Sequence, residues 1–401
     1  MFAKKYLQKQ NKTALITEVP LPEAGIAVVI PCFYEPEILK TLESLNQCEK
    51  PRQNTEIIVL INHSENAPQT IKDFNRQTKT KVDRWIAGHK NEKLTFYAVG
   101  PLELKKKWAG AGLARKWGMD EAVLRFDLLQ KPDGIIVSLD ADTLVEKNYF
   151  AGIENHFLFY PKNVGATISF EHQKAGLLPK HLLGIELYEK YLGYYKKAIA
   201  FTGYPYSMFT VGSAFAVKAE SYVRRGGMNR RQAGEDFYFL QNLAQLGPVG
   251  EITTTKVYPS ARLSARVPFG TGPILQKWMN GQEDLTVTYN FQAFDDLKKL
   301  FDIKDKFFDT AKTDWKQIVA TLPETVQQFL KADNFWGELE ALTQNCSSVK
   351  TFQTRFYHVF NAFKILKYLN FVHEHFYKKA DLNEQLNKID EVKENSGLKE
   401  S

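Results

Sequence analysis

A short apolar run that ends in two aspartates constrains the fold more than any other stretch of this chain. Residues 135–139 are apolar except for Ser138, and Asp140-Ala141-Asp142 follow directly. A run of this length without polar alternation is typical of a strand that is covered on both faces in a parallel sheet. Open α/β sheets bind ligands at the carboxyl ends of their strands, so we expect both carboxylates at a binding edge.

The Asp140–Asp142 pair has two interpretations on the residues alone. Carboxylate oxygens suit Mg²⁺ or Mn²⁺, and an ion held by one or two carboxylates keeps positions free for substrate phosphates. The same residues are typical of a turn after a strand, where an Asp side chain accepts backbone hydrogen bonds. The local sequence favours the turn, and the rest of the chain shifts the balance towards the metal.

Apolar runs of strand length alternate with helical patterns along residues 25–275. Besides 135–139, the predicted strands lie at residues 26–31, 56–61, 94–99, 164–170, 213–217 and 256–258. The intervening segments space apolar residues as a helix does, with helices predicted from about residues 36, 110, 182 and 237. This alternation is typical of a mostly parallel sheet with right-handed connections. We therefore predict an α/β fold.

The composition changes at about residue 276, where the chain becomes helical in pattern and rich in aromatic residues. Two stripes have helical spacing: Trp315, Ile318, Val319 and Leu322, then Phe352, Phe356, Val359, Phe363 and Leu366. Such stripes are typical of a helical core. We predict a lead-in of residues 1–24, an α/β domain of residues 25–275, and a helical region of residues 276–401 with a frayed tail.

The overall charge restricts the partners only weakly. The chain has 401 residues and a formal net charge of +7. This balance suits phosphate-bearing substrates or an anionic membrane surface. The basic residues are dispersed and match no common nucleic-acid-binding motif, so we expect no nucleic-acid partner.

Cysteine content and apolar segments bear on location. Cys32, Cys48 and Cys346 form neither a metal-spacing pair nor an even disulfide set, which is typical of a reducing compartment. The basic N-terminus lacks the apolar core of a signal peptide. Residues 198–217 carry no charge, but their glycines, proline and hydroxyls favour a buried loop and strand over a membrane span. We expect a cytoplasmic protein, and peripheral attachment at the inner face of the membrane is compatible with its charge.

Five short features, taken in order along the chain, resemble the GT-A glycosyltransferases of family 2. They are VIPCFYE at 29–35, IIVLINHS at 57–64, ARKWG at 114–118, DAD at 140–142, and GGM at 226–228 followed by GED at 234–236. The resemblance covers residues 25 to about 272. It implies a Rossmann-like mixed sheet and the transfer of a sugar from a nucleotide-diphosphate sugar to a hydroxyl acceptor, such as a glycan or a lipid-linked saccharide. The lack of a clear Q-x-x-R-W segment argues for a soluble, non-processive enzyme.

The resemblance also implies roles for individual residues. Asp142 is the expected direct ligand of Mn²⁺ or Mg²⁺, with Asp140 as a second ligand or a ribose contact. Asp236 is the expected base that takes the acceptor's proton in an inverting transfer, and Glu235 would orient the acceptor or Asp236. Acids at a helix start are also ordinary caps, which is the better interpretation of the local sequence taken by itself.

The donor is expected to contact a larger set of residues. Arginines make forked, charge-assisted contacts with phosphate, although each is also explained as a solvated surface charge. The predicted donor-binding residues are Pro31, Phe33, Glu35, Asn62, Arg115, Asp140, Arg262 and Arg266.

Several positions depart from the family pattern or allow other functions. Asn62 replaces the acid that commonly reads the base, and an amide can both donate and accept, so the base stays open. Tyr204, Tyr206 and Phe209 suit stacking on an acceptor sugar and suit core packing equally well. A nucleotidyltransferase is disfavoured because residues 31–37 contain no glycine-rich loop. A non-catalytic sugar-nucleotide or glycan-binding module is a further alternative.

Overall fold

The chain folds into two compact units. The computed structural model describes residues 1–229, 234–264 and 270–396. Met1–Leu177 and Thr210–Gln276 form a sheet unit, whereas Leu178–Phe209 and the chain from Lys277 onward form a helical unit. The change near residue 276 was predicted. The grouping of residues 178–209 with the C-terminal helices differs from the contiguous 25–275 boundary, and residues 1–24 belong to the sheet unit.

The sheet unit is built on a mixed sheet of eight described strands in the order β3-β2-β1-β4-β7-β6-β8-β5. Strands β1 to β4 are parallel, β7 is antiparallel to its neighbours, and β6 is parallel to β8. The bounds are β1 (Ala24–Cys32), β2 (Asn54–Ser64), β3 (Leu94–Leu104), β4 (Ile135–Ser138), β5 (Leu144–Val145), β6 (Gly165–Phe170), β7 (Phe215–Lys218) and β8 (Val249–Tyr258). The predicted α/β class with a mixed sheet is confirmed.

The helices predicted from about residues 36, 110, 182 and 237 are all present, whereas those at Lys4–Lys9, Gln69–Gly88, Tyr149–Phe159 and Ala219–Arg224 were not predicted. The bounds in chain order are α1 (Lys4–Lys9), α2 (Ile38–Asn46), α3 (Gln69–Gly88), α4 (Ala111–Leu128), α5 (Tyr149–Phe159), α6 (Pro179–Phe201, in the helical unit), α7 (Ala219–Arg224), α8 (Glu235–Leu243) and α9 (Thr271–Met279, which contains the unit boundary).

Apolar strand residues and close helix packing form the core of the sheet unit. All nine residues of β1 are buried, and the inner residues of β2 are buried as well. Helix α4 packs closely on β1 because Gly118 has no side chain. A Cβ at Gly118 would lie 2.4 Å from Val29 Cγ1. The glycine in the ARKWG segment therefore sets how near α4 approaches the sheet.

Strands β2 and β3 extend three and five residues beyond their predicted C-terminal ends. β2 continues through Asn62 and His63, which pair with Leu102 and Glu103 of β3 after an irregularity at Leu60. The polar residues Asn62 and His63 suggested a loop, but they can belong to the strand because the hydrogen bonds between strands use only backbone groups. Hydrophobic patterning therefore ends before the strand does.

The lead-in of residues 1–24 packs against buried charges of α4. The Ala3 N–H donates to Asp127, and Glu121 accepts from the backbone N–H groups of Leu15 and Ile16 at 2.9 and 3.2 Å. Lys12 lies 2.8 Å from the same Glu121 carboxylate. These acids are compensated by donors from the lead-in, which explains how a helix can bury charges.

The helical unit surrounds an aromatic core, which confirms the helical C-terminal region. Tyr204 is buried there, edge-on to Tyr206 and Tyr357 at 5.5 and 5.6 Å, so it is a packing residue. The remaining elements are a 3₁₀ turn (Lys312–Asp314), β9 (Val287–Thr288), β10 (Ala380–Asp381), α10 (Phe291–Ile303), α11 (Lys306–Asp309), α12 (Trp315–Ala320), α13 (Glu324–Ala332), α14 (Phe335–Gln344), α15 (Val349–Val359), α16 (Ala362–His375) and α17 (Leu382–Ser396).

Two predictions about the ends and the membrane can be placed on this fold. Helix α17 continues to Ser396, and the rest of the predicted frayed tail lies outside the described residues. Among the helices that the structure describes, none combines the length and apolarity needed to cross a bilayer.

We expect Glu121→Ala to lower the free energy of unfolding by about 3 kcal/mol, because it leaves Lys12 and two backbone N–H groups without their buried acceptor. The control is Asp83→Ala, which removes an exposed pair with Lys79 and should cost about 0.5 kcal/mol or less. Urea denaturation followed by circular dichroism compares the two variants. Equal midpoint shifts would contradict the structural role of Glu121.

Candidate active site in the sheet unit

The predicted site residues gather at one edge of the sheet. Strands β1, β2, β3, β4, β6 and β8 all run in one direction, so their carboxyl ends share this edge. Glu35 follows β1, Asp140 and Asp142 follow β4, and Arg262 follows β8. This is the edge at which open α/β sheets bind ligands.

Arg262 joins two of these carboxylates. Its Nη1 and Nη2 atoms donate to the two oxygens of Glu35 at 3.0 and 2.5 Å, and Nη2 also donates to Asp142 Oδ2 at 2.7 Å. Glu35 is buried, whereas the Arg262 and Asp142 side chains retain 30% and 26% exposure. The hydrogen bonds that Arg262 donates to Glu35 raise the pKa of Arg262 against the opposing effect of burial. A cation and a carboxylate are therefore both accessible here.

Arg115 joins a second set of carboxylates at the start of α4. Nη2 donates to Asp140 Oδ1 at 2.5 Å, and Nη1 forms a short contact with Glu235, the first residue of α8. Burial opposes the charge of Arg115, but Asp140, Glu235 and Asp236 overcome this and raise its pKa. One buried guanidinium therefore connects Asp140, a predicted metal ligand, to the start of α8, which carries the predicted base. The three segments are far apart in sequence.

Glu235 and Asp236 differ in what holds them. Glu235 is paired with Arg115, whereas Asp236 accepts the Phe237 backbone N–H at 2.8 Å. Burial raises the pKa of both carboxyls, and the Arg115 charge acts against this increase in each case. A carboxylate with a raised pKa is a stronger base, and Asp236 has no direct ion pair to a described residue.

The acids at this edge fit a divalent ion held in part by its substrate. Asp140 and Asp142 offer carboxylate oxygens with side-chain exposures of 39% and 26%. Within residues 1–229, 234–264 and 270–396, no cluster of three or more His, Cys, Asp or Glu side chains is placed to hold a metal. Mg²⁺-type ions often use only one or two carboxylates together with phosphates and water. The pair therefore matches a phosphate-assisted site and does not match an all-protein cage.

The remaining residues that were predicted to bind the donor substrate are Pro31, Phe33, Asn62 and Arg266. Pro31 lies inside buried β1. The Asn62 Nδ2 group donates to the carbonyls of Cys32 and Leu60 at 3.2 and 3.3 Å, so a base contact by this residue would use its oxygen as acceptor. Phe33 is partly buried just after β1. Arg266 lies outside the described residues.

Sequence reasoning missed Asn75, which organises the corner next to Asn62. It is buried in α3, and its Oδ1 accepts the Tyr34 N–H at 3.0 Å while Nδ2 donates to the Asn62 carbonyl at 2.8 Å. Tyr34 has a φ of 48°, a left-handed backbone that non-glycine residues seldom adopt. The isolated Asn in a helical pattern gave no signal of this role.

Gln173 and Gly212 also shape the site without having been predicted. Gln173 donates to the Asp142 carbonyl at 2.9 Å and to the Tyr258 carbonyl at 2.7 Å, which fixes the aspartate loop to the end of β8. A Cβ at Gly212 would lie 2.9 Å from Arg115 Nη2, so this glycine leaves room for the guanidinium. His172, which bonds Thr271 Oγ1 at 3.1 Å, is a structural residue.

Comparisons with known proteins add little to this geometry. No protein-family model matches the sequence, and no curated protein matches it significantly. Solved structures with some likeness are S. aureus TarS 1-349, at 11% identity and a TM-score of 0.40 over 83% of this chain and 90% of that chain, and the mannosyltransferase PcManGT from Pyrobaculum calidifontis in complex with GDP-Man and Mn²⁺, at 14% identity and 0.39 over 94% and 93%. A similarity this low does not assign a function, so we infer the function from the residues of this chain alone.

We expect Gly212→Ala to displace Arg115 and destabilise the protein by about 1–3 kcal/mol, since overpacking a closed site forces side chains to move. Gly88→Ala is the matched control because a Cβ there meets nothing within 4 Å. Thermal unfolding of the two variants measures the difference. A Gly212→Ala protein as stable as Gly88→Ala would contradict the close approach.

Proposed function

We propose that the protein is a GT-A-type, family 2-like glycosyltransferase that moves a sugar from a nucleotide-diphosphate sugar to a hydroxyl acceptor in glycan or glycoconjugate synthesis. One observation carries this proposal. The predicted positions Glu35, Asp140, Asp142 and Glu235, from three separate segments, converge on two arginines at the ligand-binding edge of the sheet.

The charges at this edge suit the departure of a nucleoside diphosphate. Breaking the sugar–phosphate bond leaves negative charge on the diphosphate, and preorganised cations stabilise that charge. The accessible guanidinium of Arg262 serves this purpose in our proposal, held in place by buried Glu35. Asp140 and Asp142 would hold Mn²⁺ or Mg²⁺, which when bound neutralises further charge on the phosphates.

Asp236 is the proposed base in an inverting transfer. Its raised pKa makes it a better proton acceptor than an ordinary aspartate. Glu235 is less suited to that role because it neutralises Arg115, and we assign it the task of positioning the start of α8. Arg115 in turn fixes Asp140 relative to α8. The acceptor is a glycan or a lipid-linked saccharide in this proposal. The cytoplasmic location and the attachment to the inner face of the membrane stay predictions.

We expect one nucleotide-diphosphate hexose from a panel of UDP-, GDP-, dTDP- and CDP-sugars to raise the melting temperature in the presence of Mn²⁺. A ligand at about 100 times its Kd stabilises the folded state by about 2.7 kcal/mol. Asp142→Asn should lose the Mn²⁺-dependent part of the shift because it removes a metal ligand. Asp133→Asn, an exposed acid just before β4, is the control. A melting-temperature shift that depends on neither Mn²⁺ nor Asp142 would exclude the metal role. If no sugar nucleotide of the panel shifts the melting temperature, nucleotide-diphosphate sugars are excluded as donors.

We expect Asp236→Asn to lower kcat by about 10³-fold, because an amide cannot take the acceptor proton. Nucleoside diphosphate release from the donor found above gives the rate. In the wild type, kcat should increase with pH and level off above a midpoint higher than that of an ordinary aspartate, since burial raises the pKa and only the ionised carboxylate acts as base.

The same release assay with Asp133→Asn should give the wild-type rate and pH profile. If Asp236→Asn keeps the wild-type rate, or if its residual rate keeps the wild-type pH midpoint, another group is the base.

A further inference from the structure

A row of tyrosines follows one face of α6 in the helical unit. Tyr188, Tyr191 and Tyr195 are spaced by three and four residues, which places them on the same side of a helix. Their ring centroids are 6.3 and 6.1 Å apart in succession. Tyr289, which precedes α10, adds a fourth ring 6.3 Å from Tyr195. These four residues are called the tyrosine row below.

The tyrosine row lies on the side of α6 that is otherwise packed. Gly184, Leu187, Tyr194 and Ala198 on that side are buried. The members of the row nevertheless keep part of their surface accessible. Burial raises the pKa of Tyr191, Tyr195 and Tyr289, so protein atoms surround these rings closely. Partly accessible rings between buried neighbours form an aromatic surface that a ligand can reach.

The hydroxyl groups around the tyrosine row fall into two classes. Tyr194 donates to the Tyr289 carbonyl at 2.7 Å, and the Tyr289 hydroxyl donates to Asn370 Oδ1 at 2.7 Å. Among the described residues, neither Tyr191 nor Tyr195 has a hydrogen-bond partner for its hydroxyl, and neither oxygen is sealed from solvent. The two hydroxyls are therefore open to solvent and can bond a ligand that displaces the water.

We propose that the tyrosine row binds a saccharide. A pyranose presents C–H groups on its faces and hydroxyls around its rim, which matches flat aromatic rings that carry hydroxyl groups at their ends. The half-buried Glu283 acts electrostatically on Tyr191 and Tyr289, and a carboxylate accepts hydrogen bonds from hydroxyl groups.

An acyl chain would fit the tyrosine row less well, because it would leave the Tyr191 and Tyr195 hydroxyls without partners. Saccharide binding at the tyrosine row stands without the proposed function.

Saturation-transfer NMR on the full chain tests this inference with the methyl glycosides of glucose, galactose, mannose and N-acetylglucosamine, and with hexyl glucoside. We expect saturation of the ring protons of at least one sugar. Tyr191→Phe and Tyr195→Phe keep the rings and remove one hydroxyl each, so each should weaken binding about tenfold, the equivalent of one hydrogen bond. Tyr160→Phe, at an exposed tyrosine of the sheet unit, is the matched control and should bind as the wild type does.

Three results would overturn the inference. They are no transfer to any of the sugars, equal binding by the wild type and the Tyr191→Phe and Tyr195→Phe variants, and transfer confined to the hexyl chain of hexyl glucoside. Thermal unfolding confirms that the Phe variants are folded. Asp142→Asn should bind the sugar as the wild type does, so failure of the donor site and failure of the tyrosine row give different results.

Discussion

The buried guanidinium of Arg115 is the interaction on which the candidate site depends. A charge without water must be compensated by close carboxylates, or the group destabilises the fold. Arg115 meets this condition with Asp140 after β4 and Glu235 at the start of α8. The same pairing therefore neutralises the charge and fixes the distance between the two acidic segments, which the proposed chemistry requires.

Arg115 has this position because α4 is held on the sheet at several points. Gly118 lets the helix approach β1, and Gly212 leaves space for the guanidinium. The next residue, Lys116, forms a buried pair with Asp120 one turn along α4, and Asp120 also accepts hydrogen bonds from the hydroxyl groups of Tyr6 and Tyr222. The lead-in is thus part of the support of the site, although it contributes no group to the chemistry.

Much of the sheet could be predicted because strands that are buried on both faces of a parallel sheet consist of apolar runs in the sequence. The acids after β1 and β4 could be placed at one edge for the same reason, since strand direction decides which ends meet. The partner of each arginine could not be predicted. Arg115 and Glu235 are separated by 120 residues, and local pattern does not report such a distance. The contacts of Asn75 and Gln173 could not be predicted for the same reason. The grouping of residues 178–209 with the C-terminal helices could not be predicted either, because helical periodicity identifies an apolar face but not the element that packs on it.

A crystal structure with Mn²⁺ and a nucleoside diphosphate, with data collected at the manganese absorption edge, tests the central claim most directly. We expect an anomalous peak in contact with the Asp142 carboxylate, with the diphosphate beside it and the Asp140–Arg115–Glu235 contacts intact. A manganese ion and nucleotide bound elsewhere on the chain, with Arg262 still joined to Asp142, would contradict it.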